Sequence, residues 1–248
     1  MKRWLIQGIA AWGNYRRPVP VAVPYVLVLG GAQGVGKTSW FRSLLPDGLV
    51  QTEASLHLDS HKADDHKRKV LSSPIVELGE VETTFGKSEL GALKAFLSNT
   101  TDRYRVPYDR DGTVRVRCTM FGASVNDFEF LLDHTGARRF LPIWVEKCEW
   151  RHGIDLQQLW AQVSQLYASG EQWNFDEVET TMQGVVAERH RVVTYAESLL
   201  DELAVRKIAV DSSEWSFAST ADVAKYYRLE NNANSWRTVT SVLEMTVA

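Results

Sequence analysis

The sequence predicts an α/β fold in which a core of parallel strands is followed by a helical C-terminal part. Apolar runs typical of buried parallel strands lie within the first 145 of the 248 residues, at 25–30, 74–80, 118–124 and 139–145. Segments with helical periodicity separate them, and such an alternation favours a parallel sheet. From residue 155 onwards the pattern is mostly helical. We therefore expect an α/β domain over 1–175 and a helical region over 176–248.

Local sequence signals predict the individual elements. Apolar residues at helical spacing predict helices at 3–15, 36–45, 88–97, 156–168, 176–207, 220–228 and 235–245. The tripeptide Pro46-Asp47-Gly48 is expected to end the second helix. Asp111-Gly112 lies between two alternating segments, which predicts a β-hairpin over 103–118.

Composition limits the classes of protein to which this chain can belong. Hydrophobic residues make up 44% and charged residues 24% of the chain, which is ordinary for a globular protein. The net charge of −3 excludes a globally basic surface, so any nucleic-acid contact must be local. Cys118 and Cys148 lack metal-ligand spacing and are expected to be free thiols. No apolar run fits a signal peptide or a bilayer span, so we expect a soluble, cytoplasmic protein without membrane contact.

Residues 31–38 read GAQGVGKT, which matches the phosphate-loop motif G-x-x-x-x-G-K-[ST] between a strand and a helix. Glycines let the backbone curl with its N–H groups directed at phosphates. Lys37 is expected to reach the β- and γ-phosphates of ATP, and the Thr38 hydroxyl to complete a Mg²⁺ shell. The residues expected to hold the nucleotide are Gly31, Gln33, Gly34, Val35, Gly36, Lys37, Thr38 and Ser39. The motif alone leaves open a kinase, a GTPase, an ATP-driven motor or a degenerate binder.

A site that hydrolyses a nucleotide needs a carboxylate and a water-orienting group at the ends of neighbouring strands. Glu80 is the first candidate for the Mg²⁺ carboxylate, because it stands where the apolar run 74–80 ends. Glu77 is the second, since a glutamate inside an apolar strand needs a reason to be there. Two glutamates suit hydrolysis, with one in the metal shell and one to polarise water. Asn126, at the end of the third strand, is expected to orient that water, and a simple turn is the alternative.

Two groups of arginines have both a structural and a functional interpretation. Arg138 and Arg139 precede the fourth strand and are either surface charges or fingers that reach the γ-phosphate of a neighbouring subunit. The hairpin is locally basic and carries interleaved tyrosines. Contact with single-stranded nucleic acid is expected from its arginines, which are Arg103, Arg105, Arg110, Arg115 and Arg117. The alternative is a solvated hairpin whose arginines pair with acidic neighbours.

The order of these motifs resembles the virulence-associated protein E family. The series consists of the phosphate loop, VELGE (76–80), DRYRVPY (102–108), FGASVND (121–127) and TGARRFLPI (135–143). Such proteins are the P-loop part of phage and pathogenicity-island replication proteins, and they look like superfamily 3 helicases of the AAA+ class. The resemblance covers about residues 25–175 and implies a hexameric, DNA-dependent ATPase.

The same resemblance implies a role for each candidate residue. Glu80 with Glu77 would be the acidic site, Asn126 the sensor, and Arg138 or Arg139 a finger acting in trans. The hairpin would face the central channel of the ring. Because relatives often carry an N-terminal primase or origin-related region, a primase or another replication protein is an expected partner.

The C-terminal part has two open interpretations. Residues 212–245 read as a helix–turn–helix, in which Thr220 caps the first helix and the second begins near Ser235. This element either contacts DNA, through Asn234, Trp236 and Arg237, or only packs against the rest of the chain. The absence of an excess of Lys or Arg gives the packing role equal weight.

Together these patterns predict an ATP-hydrolysing, ring-forming motor of phage or mobile-element DNA replication that acts as a helicase on single-stranded DNA. The first alternative is an ATP-dependent DNA-binding or loading module without unwinding activity. The second is a monomeric P-loop kinase of a small molecule, in which 103–117 would be an arginine-rich lid. Oligomeric state and the dependence of hydrolysis on DNA separate the kinase from the other two.

Overall fold

The computed structural model of the protein describes residues 1–53, 67–68, 70–79, 87–104, 113–131 and 137–191. The chain divides into two compact units, Met1–Arg191 and Val192–Ala248, and all the described residues belong to the first. The predicted helices at 220–228 and 235–245, with the helix–turn–helix that they would form, lie outside the described residues. The domain boundary expected at residue 175 stays a prediction.

A parallel sheet forms the core of the first unit, as the sequence predicts. The strands in the described part of the chain are β1 (Val26–Gly30), β2 (Val50–Glu53), β3 (Ile75–Leu78), β4 (Thr101–Tyr104), β5 (Thr113–Val116), β6 (Met120–Val125) and β7 (Phe140–Trp144). Five of them pair in parallel in the order β2-β3-β6-β1-β7. Strands β4 and β5 pair antiparallel as a separate ribbon, as the predicted hairpin requires. The predicted turn at Asp111-Gly112 lies outside the described residues, and the pairing of Tyr104 with Thr113 leaves more than two residues between the strands.

Helices pack on this sheet at positions close to the predicted ones. They are α1 (Lys2–Trp12), α2 (Lys37–Arg42), α3 (Lys87–Ser98), α4 (Leu156–Ala168) and α5 (Glu177–Glu188), with 3₁₀ turns at Gly13–Arg16 and Ala137–Arg139. Aspartate N-caps fix the starts of the last two helices. Asp155 accepts a hydrogen bond from the N–H of Gln157 at 2.9 Å, and Asp176 forms a capping box with Glu179.

Helix α5 is shorter than the helix predicted over 176–207. It ends at Glu188, and a turn follows. The carbonyl of His190 accepts hydrogen bonds from the N–H groups of Phe130 and Leu131, both at 3.0 Å. The Nδ1 atom of the same histidine lies 2.9 Å from the Phe128 carbonyl oxygen. These tertiary contacts end the helix, although local periodicity favours its continuation.

Because side chains alternate along a strand, each face of the sheet has its own core. On one face, Val28 belongs to a buried cluster that includes residues of α3 and α5. On the opposite face, Leu29 clusters with Trp4 of α1 and Phe41 of α2. A Cβ at Gly122 of β6 would overlap the Phe41 ring. The glycine therefore lets α2 sit close against the sheet, which fixes the position of the loop that precedes this helix.

Candidate nucleotide-binding site

The predicted phosphate loop follows β1 at the carboxyl edge of the sheet, between the ends of β6 and β7. The N–H of Gly31 donates to the Val125 carbonyl at 3.2 Å, and the N–H of Val145 donates to the Gly30 carbonyl at 2.7 Å. Strand β1 is thus bonded to both neighbours up to the residue where the loop begins. Open α/β sheets bind ligands at the carboxyl ends of strands where neighbouring connections diverge. The fold therefore sets the loop at a position typical of a binding site.

Two loop glycines are required by close approaches of the backbone. Gly31 has a φ of 152°, and a Cβ there would overlap the Val145 carbonyl oxygen. Gly36 has a φ of 93°, and its Cβ would lie 2.9 Å from the Cys148 carbonyl oxygen. Residues with a side chain rarely adopt such φ values, and a side chain would not fit in these spaces. The glycine spacing of the motif therefore has a local structural cause in this chain.

Lys37 is buried, and its ammonium group lies inside the loop. Its Nζ donates to the carbonyls of Gly31 at 2.5 Å and Ala32 at 2.9 Å. It also donates to the Asn126 Oδ1 at 3.0 Å. The structure thus brings together the loop lysine and the predicted sensor amide, which are 89 residues apart in the chain.

Glu77 of β3 is fully buried and lies beside Thr38. The Thr38 hydroxyl donates to Glu77 Oε1 at 3.0 Å, and the Ser124 hydroxyl donates to the same oxygen at 2.5 Å. Among the described residues, the second oxygen, Oε2, has no hydrogen-bond donor although it is buried. A threonine hydroxyl beside an unsatisfied carboxylate oxygen fits a hard divalent cation such as Mg²⁺. The two residues therefore suit the metal of a Mg²⁺–nucleotide complex.

The sequence favours Glu80 over Glu77 for this carboxylate role. Glu80 lies outside the described residues, so its role stays a prediction. Glu77 is the glutamate that the structure brings to Thr38. The signal that identifies it is a charged residue inside an apolar strand, because burial of a carboxylate is costly unless it serves a purpose.

A segment that the sequence does not single out runs alongside the loop. We define residues 145–152, which follow β7, as the flanking segment. The Cys148 N–H donates to the Val35 carbonyl at 2.8 Å, and His152 Nε2 lies 3.1 Å from the Ser43 hydroxyl at the end of α2. Burial raises the pKa of the Cys148 thiol, and the Lys37 charge partly opposes this rise. The flanking segment thus forms one wall of the loop.

The remaining predicted loop residues surround this framework. Gln33 and Gly34 are exposed, and Gly34 has a φ of 85° with open space at its Cβ. Val35 and Ser39 are half-buried. The carbonyl of Ser39 accepts the Ser43 N–H at 3.0 Å within α2.

Arg138 and Arg139 lie at the edge of the sheet opposite to the loop. Both belong to the 3₁₀ turn that precedes β7, whereas the loop lies beside the end of that strand. The five residues of β7 span about 13 Å at the usual rise per strand residue. Arg138 is exposed, and Arg139 Nη2 donates to the Ser98 hydroxyl at 3.1 Å. The fold therefore does not bring these arginines to the loop of their own chain.

The ribbon carries two described arginines on opposite faces. Arg103 and Arg115 are both exposed. Arg103 pairs with Val114 across the ribbon, whereas Arg115 pairs with Asp102. Because directly opposed residues share a face, the two arginines project in opposite directions. The other predicted DNA contacts, Arg105 and Arg110, lie outside the described residues, and nucleic-acid binding by the ribbon stays a prediction.

Arg117 is a buried anchor, which corrects its grouping with the surface arginines of the hairpin. Its Nε donates to Asp102 Oδ2 at 2.7 Å, and its Nη2 donates to the other carboxylate oxygen. Its Nη1 donates to the Phe96 carbonyl, and the guanidinium lies 4.0 Å from the centroid of the Phe96 ring. The side chain therefore ties the base of the ribbon to α3 and cannot contact a ligand in solvent.

A family model of the virulence-associated protein E-like domain matches residues 1–192. The chain belongs to this family. The match confirms the family expected from the order of the motifs. No helix among the described residues of this VapE-like domain is both long enough and apolar enough to cross a membrane.

Solved structures provide distant likenesses to the VapE-like domain. The A form apo structure of the NrS-1 C terminal region (305–718) has 13% identity and a TM-score of 0.46, over 97% of this chain and 62% of that chain. Another apo structure of the region has 16% identity and a TM-score of 0.46, over the same shares. A JCV helicase with a bound acetamide compound has 13% identity and a TM-score of 0.37, over 83% of this chain and 66% of that chain. The chain thus spans about three fifths of the NrS-1 chains, and comparison with curated proteins gives no match.

Proposed function

We propose that this VapE-like domain hydrolyses ATP with Mg²⁺ and is the motor of a ring-forming helicase that acts on single-stranded DNA in phage or mobile-element replication. One observation carries the proposal. Lys37 and Thr38 begin α2, Glu77 lies in β3 and Asn126 follows β6, and two direct hydrogen bonds join them in pairs, Lys37 with Asn126 and Thr38 with Glu77. Burial of a lysine and a partly unsatisfied carboxylate in one place is costly, and a phosphate–metal ligand would offset that cost.

The contacts of each residue support a distinct role. The N–H groups of the loop and the Lys37 ammonium would hold the phosphates. The Thr38 hydroxyl and Glu77 Oε2 would be the protein ligands of Mg²⁺, which when bound neutralises phosphate charge. The Asn126 amide, next to Lys37, would orient the attacking water. Glu80 would polarise that water, since Glu77 is already bonded to two hydroxyl groups.

The arginine finger would come from a neighbouring subunit. Arg138 lies at the edge of the sheet opposite to its own loop, so it can serve only the site of another copy of the chain. We assign the finger to the exposed Arg138, because Arg139 already donates to Ser98. A finger stabilises the charge that develops on the transferred phosphoryl group. The hexamer that the family resemblance implies would provide such a neighbour.

The ribbon would be the element that contacts DNA. Arg103 and Arg115 are exposed on its two faces, so one face could meet the backbone of a strand in the channel. The anchoring of the ribbon base by Arg117 would keep it in a fixed relation to α3 and β6. A primase or another replication protein would be a further partner.

The experiment that tests the proposal measures ATP hydrolysis with and without single-stranded DNA, while light scattering gives the mass in the same sample. We expect a ring-sized assembly whose hydrolysis is stimulated by DNA and abolished in Lys37→Ala. A monomer with DNA-independent hydrolysis would refute the motor and favour a P-loop kinase. Stimulated hydrolysis without strand separation in a fork-unwinding assay would favour a DNA-loading module.

A further inference from the structure

The flanking segment follows the phosphate loop from its first residue to the helix behind it. Its backbone or side chains contact Gly30, Val35 and Ser43 at 2.7, 2.8 and 3.1 Å. It leaves no room for a Cβ at Gly31 or Gly36. Any group carried by this segment is therefore held in a fixed position relative to a nucleotide in the loop.

The flanking segment presents the indole of Trp150 at the lip of the loop. The Trp150 Cδ1 atom lies 3.3 Å from the position of a Cβ at Gly36, which is the residue before Lys37. Trp150 is nevertheless 41% exposed. The Arg151 guanidinium lies 4.4 Å from the ring centroid and orients the ring by a cation–π contact. A partly exposed aromatic ring beside a phosphate loop offers a face on which a planar ligand can stack.

We propose that Trp150 is the stacking platform for the base of the bound nucleoside triphosphate, an inference that rests on the proposed function. Lys37, Glu77 and Asn126 mark the end of the loop that receives the terminal phosphate. The Lys37 ammonium itself lies at the start of the loop, beside the Gly31 and Ala32 carbonyls and Asn126. The base would lie beyond the other end of the phosphate chain, on the side where the loop passes into α2 at Gly36. Among the described residues, Trp150 is an exposed aromatic side chain that lies beside Gly36.

Two further exposed aromatic residues lie at the end of the loop that is assigned to the terminal phosphate, so they do not suit this role. Phe128 and Trp144 are 46% and 43% exposed, with ring centroids 5.2 Å apart. Phe128 is two residues from Asn126, and a Cβ at Gly30 would overlap the Trp144 ring. Both therefore lie beside the groups assigned to the terminal phosphate.

Stacking sets the class of ligand that this platform accepts. Every nucleobase has a π face, so the contact strengthens binding without choosing one base by hydrogen bonds. Arg151 covers one face of the indole, and the base would lie on the other. We therefore expect GTP as well as ATP to gain affinity from Trp150.

Calorimetric titration of ATP–Mg²⁺ and of inorganic tripolyphosphate–Mg²⁺ into the full chain separates the base from the phosphates. We expect Trp150→Ala to weaken ATP binding about tenfold, the range for loss of one stacked base, and to leave tripolyphosphate binding unchanged. Trp150→Phe should keep most of the ATP affinity because it retains a ring. Tyr15→Ala, which also removes an exposed aromatic ring, is the matched control and should bind both ligands as the wild type does.

Three results would overturn the assignment. If ATP affinity is unchanged in Trp150→Ala, the ring is not a platform. If ATP and tripolyphosphate weaken equally, Trp150 only supports the shape of the loop. If the wild type binds neither ligand, there is no phosphate site and the proposed function is wrong as well. The first two results, in contrast, refute only the role of Trp150.

Discussion

Replacement of Arg117 by methionine tests whether this arginine anchors the ribbon from inside the protein. The side chains of Arg117 and Asp102 are only 1% and 3% exposed. Arg117→Met would leave the Asp102 carboxylate buried without its partner, and loss of one member of a buried ion pair costs about 3–5 kcal/mol. Methionine retains apolar contact with the Phe96 ring, so the loss in the free energy of unfolding comes mainly from the lost ion pair. For a unit of this size, a loss of about 4 kcal/mol lowers Tm by about 10 °C.

Urea denaturation followed by tryptophan fluorescence, with thermal unfolding by circular dichroism, measures this loss. Arg115→Met is the matched control, since Arg115 is exposed and lies two residues earlier; its effect should stay within about 0.5 kcal/mol. The double change Arg117→Met with Asp102→Leu should regain most of the stability, because apolar replacement of a buried pair is nearly neutral. Equal destabilisation by Arg117→Met and Arg115→Met would refute the reasoning.

Two further predictions concern the loop and the pH dependence of folding. Gly36→Ala should lower ATP affinity at least about tenfold by calorimetry, whereas Gly170→Ala, with a similar φ of 91° but open space at its Cβ, should leave the affinity unchanged; equal losses would contradict the close-approach explanation. A hydrogen bond from Arg3 holds the pKa of Glu179 below its ordinary value of 4.5. The resulting stabilisation is present above pH 4.5 and lost as pH falls through the folded pKa. As the pH falls below 4.5, the thermal midpoint should therefore fall more steeply in the wild type than in Arg3→Met. Parallel curves of thermal midpoint against pH would contradict this.

Features governed by local sequence could be predicted from the sequence alone. Strand β1, within the apolar run 25–30, is buried on both faces of the sheet, and such a run is typical of a parallel strand. The alternating segments that end at Tyr104 and begin at Thr113 predict the antiparallel pairing of β4 with β5. The glycine pattern of residues 31–38 is recognisable because the positive φ values and close approaches at Gly31 and Gly36 exclude residues with a side chain.

Features that depend on distant partners could not be predicted in this way. Arg117 reads as a surface charge until Asp102 and Phe96 are brought to it by the fold. The end of α5 depends on hydrogen bonds to a loop about 60 residues earlier in the chain. Strand β2 is short, polar at three of its four residues and at one edge of the described sheet, so it lacks an apolar-run signal. The flanking segment has no motif, and only its path along the loop identifies Trp150.

Subunit mixing tests most directly whether ATP is hydrolysed at a site that two copies of the chain share. Lys37→Ala removes the lysine of the loop, and Arg138→Ala removes the proposed finger. Each variant alone should assemble into a ring but be inactive. In rings assembled from an equal mixture, an intact Lys37 faces an intact Arg138 at about a quarter of the interfaces. We predict that the mixture regains about a quarter of the wild-type ATPase rate when the sites act independently. No recovery in mixed rings of verified mass, or full activity of Arg138→Ala alone, would contradict the shared site.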